Sequence, residues 1–165
     1  MIFSGLYLYS QSKIKSMALQ DKVMEQMKVA MKAKDKVALE SLRAIKSALL
    51  LAQTETGSGN GLSEESEIQL VQKLVKQRKD SAAIFQEQGR SDLAEPELAQ
   101  VAIIEQFLPE QLTEEEIEKV VVQTIEAIGA SGMKDMGKVM GMVSKELAGQ
   151  ADGKTISTIV KKKLA

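Results

Sequence analysis

The feature that most constrains this chain is a recurring helical spacing of apolar residues, with no stretch of the two-residue alternation that marks a strand. Leu19, Val23, Met27 and Met31 stand four apart and form one face of a first helix. The run KAKDK around Asp35 interrupts it, and Asp35 can cap a second helix bearing Ala38, Leu42, Ile45, Leu49 and Ala52. Thr54–Gly61 (TETGSGNG) reads as a flexible loop. A third helix starts near Ser63, where Glu64, Glu65 and Glu67 suit its positive end, and Gly89 closes it. A fourth starts near Asp92, with Asp92-x-x-Glu95 resembling a capping box and Pro96 tolerated in its first turn. Leu98, Val101, Ile104 and Leu108 are its inward stripe, and Pro109 stops it.

Thr113-Glu-Glu-Glu116 is a capping box for a fifth helix, with Ile117, Val121, Ile125 and Ile128 inward and Gly129 at its end. A sixth helix covers about Lys134–Ala148, and a seventh begins near Lys154, with Asp152-Gly153 as the turn between them. The expected fold is all-α. Residues 17–110 form a helical N-terminal domain and residues 111–165 a small three-helix C-terminal domain, with the border near Pro109.

Composition narrows the chemistry. Aromatics are 3% of 165 residues, so the core must come from aliphatic side chains and the nine Met residues. There is no Cys and no His, which removes disulfides, thiolate nucleophiles, imidazole catalysis and the usual zinc ligand sets. No acidic spacing argues for a metal and no motif argues for a cofactor. Binding is therefore favoured over catalysis.

A net charge of −1 conceals a division. Residues 17–54 carry 7 basic and 4 acidic side chains, residues 55–126 carry 6 and 16, and residues 130–165 carry 7 and 3. A basic tail on an acidic protein suits a polyanion. Residues 1–16 (MIFSGLYLYSQSKIKS) differ in character, with both Tyr residues and no acid. They read as an upstream mis-start, an added expression segment, an organelle-targeting leader or a small arm. The segment is too short to span a bilayer. The chain is expected in the cytoplasm, or in an organelle if this segment is a leader.

Gly137 and Gly141 lie four apart in the sixth helix, each costing about 1 kcal/mol relative to Ala. Two explanations stand: close approach of a neighbouring helix, or of another backbone such as RNA. Lys134, Lys138 and Lys145 share or flank that face and can meet phosphates. Lys154, Lys161 and Lys162 are further phosphate candidates, although lysines in a last turn also suit the helix dipole. Arg78, Lys79, Asp80, Arg90 and Asp92 form a second polar concentration, either an ion-pair network across the corner of helices three and four or a docking site. Ala148–Thr155 fits a loose phosphate-loop pattern, but a helix rather than a strand precedes it, so it reads as a helix connection.

These residues together carry a resemblance. Leu42-Arg43, VKQRKDS at Val75–Ser81, GRSDLAEPE at Gly89–Glu97, FLPEQL at Phe107–Leu112, KDMGKVMG at Lys134–Gly141 and ADGKTIS at Ala151–Ser157 occur in family order. From Met17 to Ala165 the chain resembles the YqeY-like proteins, the GatB/YqeY domain family. Pro96, Gln100 and Gln150 stand where that family often carries charge. The resemblance implies a C-terminal part similar to the tail of the GatB component of tRNA amidotransferase, a module that helps hold tRNA. It puts Lys134, Gly137, Lys138 and Gly141 forward as RNA contacts. It also implies a family label of carbon–nitrogen ligase activity with glutamine as amido donor, although the catalytic body of that large component is missing from this chain. The expected function is a non-catalytic tRNA-binding accessory module, beside aminoacylation or amidotransferase proteins. The alternative is a protein-docking adaptor without RNA contact. No membrane partner is expected.

Overall fold

The computed structural model describes residues 18–57 and 61–165, and residues 1–16 with their competing readings lie outside them. Among the described residues there are seven α-helices, two short 3-10 turns and no strand. The helices are α1 (Leu19–Ala33), α2 (Lys36–Thr56), α3 (Glu64–Glu87), α4 (Ser91–Ile104), α5 (Glu114–Ile128), α6 (Met136–Glu146) and α7 (Gly153–Leu164). The 3-10 turns are Glu105–Phe107 and Met133–Asp135. The chain divides into two compact units, one ending at Phe107 and one running Leu108–Ala165.

In the first unit, helix starts follow side-chain chemistry. Asp35 accepts from the Ala38 N–H at 3.0 Å and Ser63 from the Ser66 N–H at 3.2 Å. Helix α1 has no such cap of its own at Ala18. Instead Glu67 of α3 accepts a hydrogen bond from the Leu19 backbone, and partial burial pushes its carboxyl above the usual range. Leu19, Val23 and Ala30 of α1 are buried with Leu42, Ile45 and Leu49 of α2.

Four expected features of this unit differ. Met31 is 53% exposed, and Ala30 takes the inward position. A spacing of four overshoots the 3.6-residue turn by about 40° per step, so the stripe has drifted about 120° by Met31. Helix α2 continues through Thr56, inside the expected loop, with the Thr54 and Thr56 hydroxyls donating to the Leu50 and Ala52 carbonyls, and ends where Gly57 turns left-handed at φ 62°. Leu98 lies at the edge of its stripe, 40% exposed, while Ala94 is buried. Asp92 does not occupy the cap position of α4, because the helix has already begun at Ser91; its carboxylate accepts from Arg90 at 2.9 and 2.8 Å.

The second unit is built on Ile117, Val121, Val139, Val143, Ile156 and Val160, all at most 2% exposed. Thr113 and Glu116 complete the capping box of α5: the Glu116 N–H donates to the Thr113 hydroxyl at 3.3 Å and the Thr113 N–H to the Glu116 carboxylate at 2.8 Å. Gly129 ends α5 with φ 63°, a conformation that suits glycine. The entry segment is tied to the α6–α7 connection, because Gln111 Nε2 donates to the Gly149 carbonyl at 2.6 Å and the Leu112 N–H to that of Gln150 at 2.9 Å.

The bonds from Thr113 hold the Glu116 carboxyl below the usual carboxylate range. A depressed folded pKa adds stability above the unfolded value and loses it as pH falls through the folded one. Loss of the hydroxyl cap in Thr113→Ala should cost about 1 kcal/mol at neutral pH in chemical denaturation. The difference between wild type and variant should shrink in acid. An unchanged midpoint at neutral pH would show that the cap is dispensable.

Candidate functional site

Helix α6 turns Val139 and Val143 into the core. At 100° per residue, Lys138, Gly141 and Lys145 fall within about 60° of one another on the opposite side, and Gly137 borders them. Lys134 precedes them in the 3-10 turn. All five are exposed. Among the described residues none of the three lysines is in an ion pair with an acid.

The geometry removes one of the two explanations of the glycines, the close approach of a neighbouring helix. A Cβ built on Gly137 or Gly141 meets no atom within 4 Å. No neighbouring helix within the described residues requires their missing side chains, and both lie in regular helix without positive φ. The helix thus bears a cost in propensity that packing does not explain.

One residue of this strip was not singled out from the sequence. Ser144 is exposed, three residues beyond Gly141, and extends the side-chain-poor edge past Gly137 and Gly141. Its helical position relative to the glycines was the available signal.

The other basic candidates lie elsewhere. Lys154, Lys161 and Lys162 are exposed on α7, on the side away from Ile156 and Val160. The neighbouring Lys163 pairs with Glu118 of α5 and holds that carboxyl below its usual range, with a smaller contribution from Lys162. The two lysine sets therefore occupy outward faces of two different helices.

At the start of α7, Asp152 accepts from the Lys154 and Thr155 N–H groups at 3.0 Å each and from the Thr155 hydroxyl at 2.6 Å. The chain's own carboxylate occupies the place where a phosphate loop would bind anions, and the element before it is a helix ending at Glu146, not a strand.

The polar concentration of the first unit is not one cluster. Asp80 pairs with Lys76 one turn away at 2.7 Å, and Arg90 with Asp92 at 2.8 Å. Lys79 reaches Glu105 at 2.5 Å, tying α3 to the turn after α4. Arg78 Nε donates to Gln100 at 2.9 Å, and Gln100 to Glu40 of α2 at 3.5 Å. Arg78 and Lys79 thus hold helices together. Among the described residues no group of acidic side chains is placed to hold a metal ion, and no helix is long and apolar enough to cross a membrane.

Comparison with known proteins agrees with the resemblance. A family profile described as Yqey-like protein matches residues 20–164. The chain belongs to the YqeY-like family. Among curated relatives of this YqeY-like chain is the E-type component of the glutamyl-tRNA(Gln) amidotransferase of Thermococcus gammatolerans, 37% identical over 95 residues. That match takes in 55% of this chain and 15% of the amidotransferase component, so the chain corresponds to a small part of it. The altered inheritance of mitochondria protein 41 of Pyrenophora tritici-repentis, a mitochondrial protein, is 29% identical over 146 residues, 87% of this chain and 78% of that protein. Its counterpart in Lachancea thermotolerans is 32% identical over 107 residues, 65% of this chain and 55% of that protein.

Because nothing in the fold uses the missing side chains, Gly137→Ala and Gly141→Ala should each stabilise the protein, by up to about 1 kcal/mol. Thermal melts check this. A lowered melting temperature would mean that the glycines serve the fold.

Proposed function

We propose that the YqeY-like chain is a non-catalytic RNA-binding accessory module whose ligand is tRNA and whose contact surface is the outward face of α6. Lys134, Lys138 and Lys145 meet backbone phosphates, and Gly137 and Gly141 let the helix come close. The observation that carries the reading is the open space over both glycines beside unpaired lysines. Lys154, Lys161 and Lys162 supply a secondary, long-range attraction from α7. The choice of tRNA is supported by the amidotransferase relative, whose own name includes glutamyl-tRNA(Gln). The mitochondrial relatives support an organellar setting.

In this reading the first unit faces protein rather than RNA, and aminoacylation or amidotransferase proteins are the partners it would meet. Val29, Leu51 and Ile84 are more than half exposed there, which supports a protein-docking role. Such a role stands as an alternative to RNA contact if α6 proves inert.

Titration of the full chain with tRNA at several salt concentrations tests the proposal. Lys134→Glu/Lys138→Glu should weaken binding at least about ten-fold at low salt and lower the slope of log affinity against log salt by roughly one per lysine. Equal affinity for wild type and variant, or a flat salt dependence, would contradict it.

A further inference from the structure

The second unit, Leu108–Ala165, contains no Phe, Tyr, Trp, Arg, His or Asn. It therefore lacks the rings and guanidinium planes that stack on unpaired bases, and of the side chains that form paired hydrogen bonds to base edges it keeps Lys and Gln. Of its three Gln residues, Gln111 is already bonded to the carbonyls of Pro109 and Gly149, and Gln123 and Gln150 lie outside α6. What the exposed side of α6 offers is narrower. Lys134, Lys138 and Lys145 provide point charges along roughly 16 Å of helix, and Gly137, Gly141 and Ser144 form an edge nearly free of side chains beside them.

Such an edge suits a shallow, regular surface. The edge itself carries no large side chain to project into a groove; the exposed Met142 lies beyond Lys138, on the far side of the lysines from the glycines. A-form RNA presents a wide, shallow minor groove lined by 2′-hydroxyls and flanked by phosphates. A helix face without side chains can lie against that sugar edge, where the Ser144 hydroxyl can both donate and accept a hydrogen bond. Lysines along one side of the face then meet the phosphates bordering the groove.

We infer that α6 lies along the minor groove of double-helical RNA, with Gly137, Gly141 and Ser144 against the sugars and Lys134, Lys138 and Lys145 on the flanking phosphates. This placement rests on the RNA-contact reading above and narrows it to the paired, A-form parts of a folded RNA, read by shape and not by sequence.

The test uses the full chain and fluorescence anisotropy with four labelled probes: two RNA duplexes of unrelated sequence, a DNA duplex matching one of them, and one of the RNA strands alone. Unlabelled tRNA serves as competitor. The two RNA duplexes should bind within about two-fold of each other and be displaced by tRNA, while the DNA duplex and the single strand should bind at least about ten-fold more weakly. Gly141→Leu, whose Cβ meets open space in the fold, should melt no lower than wild type and lose most of the preference for RNA duplex over DNA duplex. Ser144→Ala should reduce that preference in the same direction. RNA binding in which the single strand or the DNA duplex equals the RNA duplex, or in which the two RNA sequences differ widely, overturns the groove placement and leaves the RNA-contact reading standing. Failure of every probe and of tRNA to bind overturns that reading and this placement together.

Discussion

The second unit depends on a layer of valines. Val121, Val139, Val143 and Val160 are each 0% exposed and bring α5, α6 and α7 together without an aromatic ring among them. Valine in a helix has essentially one side-chain rotamer, so this contact has little room to repack. It therefore fixes how α6 is rotated about its axis. A shift of one residue would turn the face by about 100° and bring the glycine edge toward the core. The outward position of Lys138, Gly141 and Lys145 is thus a consequence of which residues are inward.

The size of the unit sharpens the point. At about 60 residues, a single apolar core leaves little stability in reserve. Two mid-helix glycines with nothing packed over them are a sizeable fraction of that reserve. Electrostatics point the same way. Lys138 and Lys145 of α6, and Lys134 in the turn before it, have no ion-pair partner among the described residues, whereas Lys163 of α7 is paired with Glu118. Lys134 and Lys138, about one turn apart, lie within a Debye length at physiological salt and present a joined positive field, with Lys145 about two turns further on.

Much of this was legible in the sequence because the signals are local. Asp35, Ser63, Thr113 and Gly129 mark helix ends through bonds within a few residues, and they do so in the structure. Asp92 failed as a cap because the helix begins before it, at Ser91, and its carboxylate pairs with Arg90. Met31 failed as a core residue because a four-residue spacing drifts off the face of a 3.6-residue helix. The polar concentration around Arg78 could not be resolved in advance, since its partners Gln100 and Glu40 lie 22 and 60 positions apart along the chain from the residues they meet. The glycines are the clearest case. Their spacing was visible, but whether another helix covers them is a property of the packed unit.

Crosslinking RNA to the protein in cells, followed by mapping of the crosslinked peptides, tests the central claim most directly, because it reports contact and position together. The account predicts crosslinked tRNA, with the modified peptides covering Lys134–Lys145. Crosslinks confined to the first unit, or recovery of protein partners with no RNA attached to α6, would contradict it.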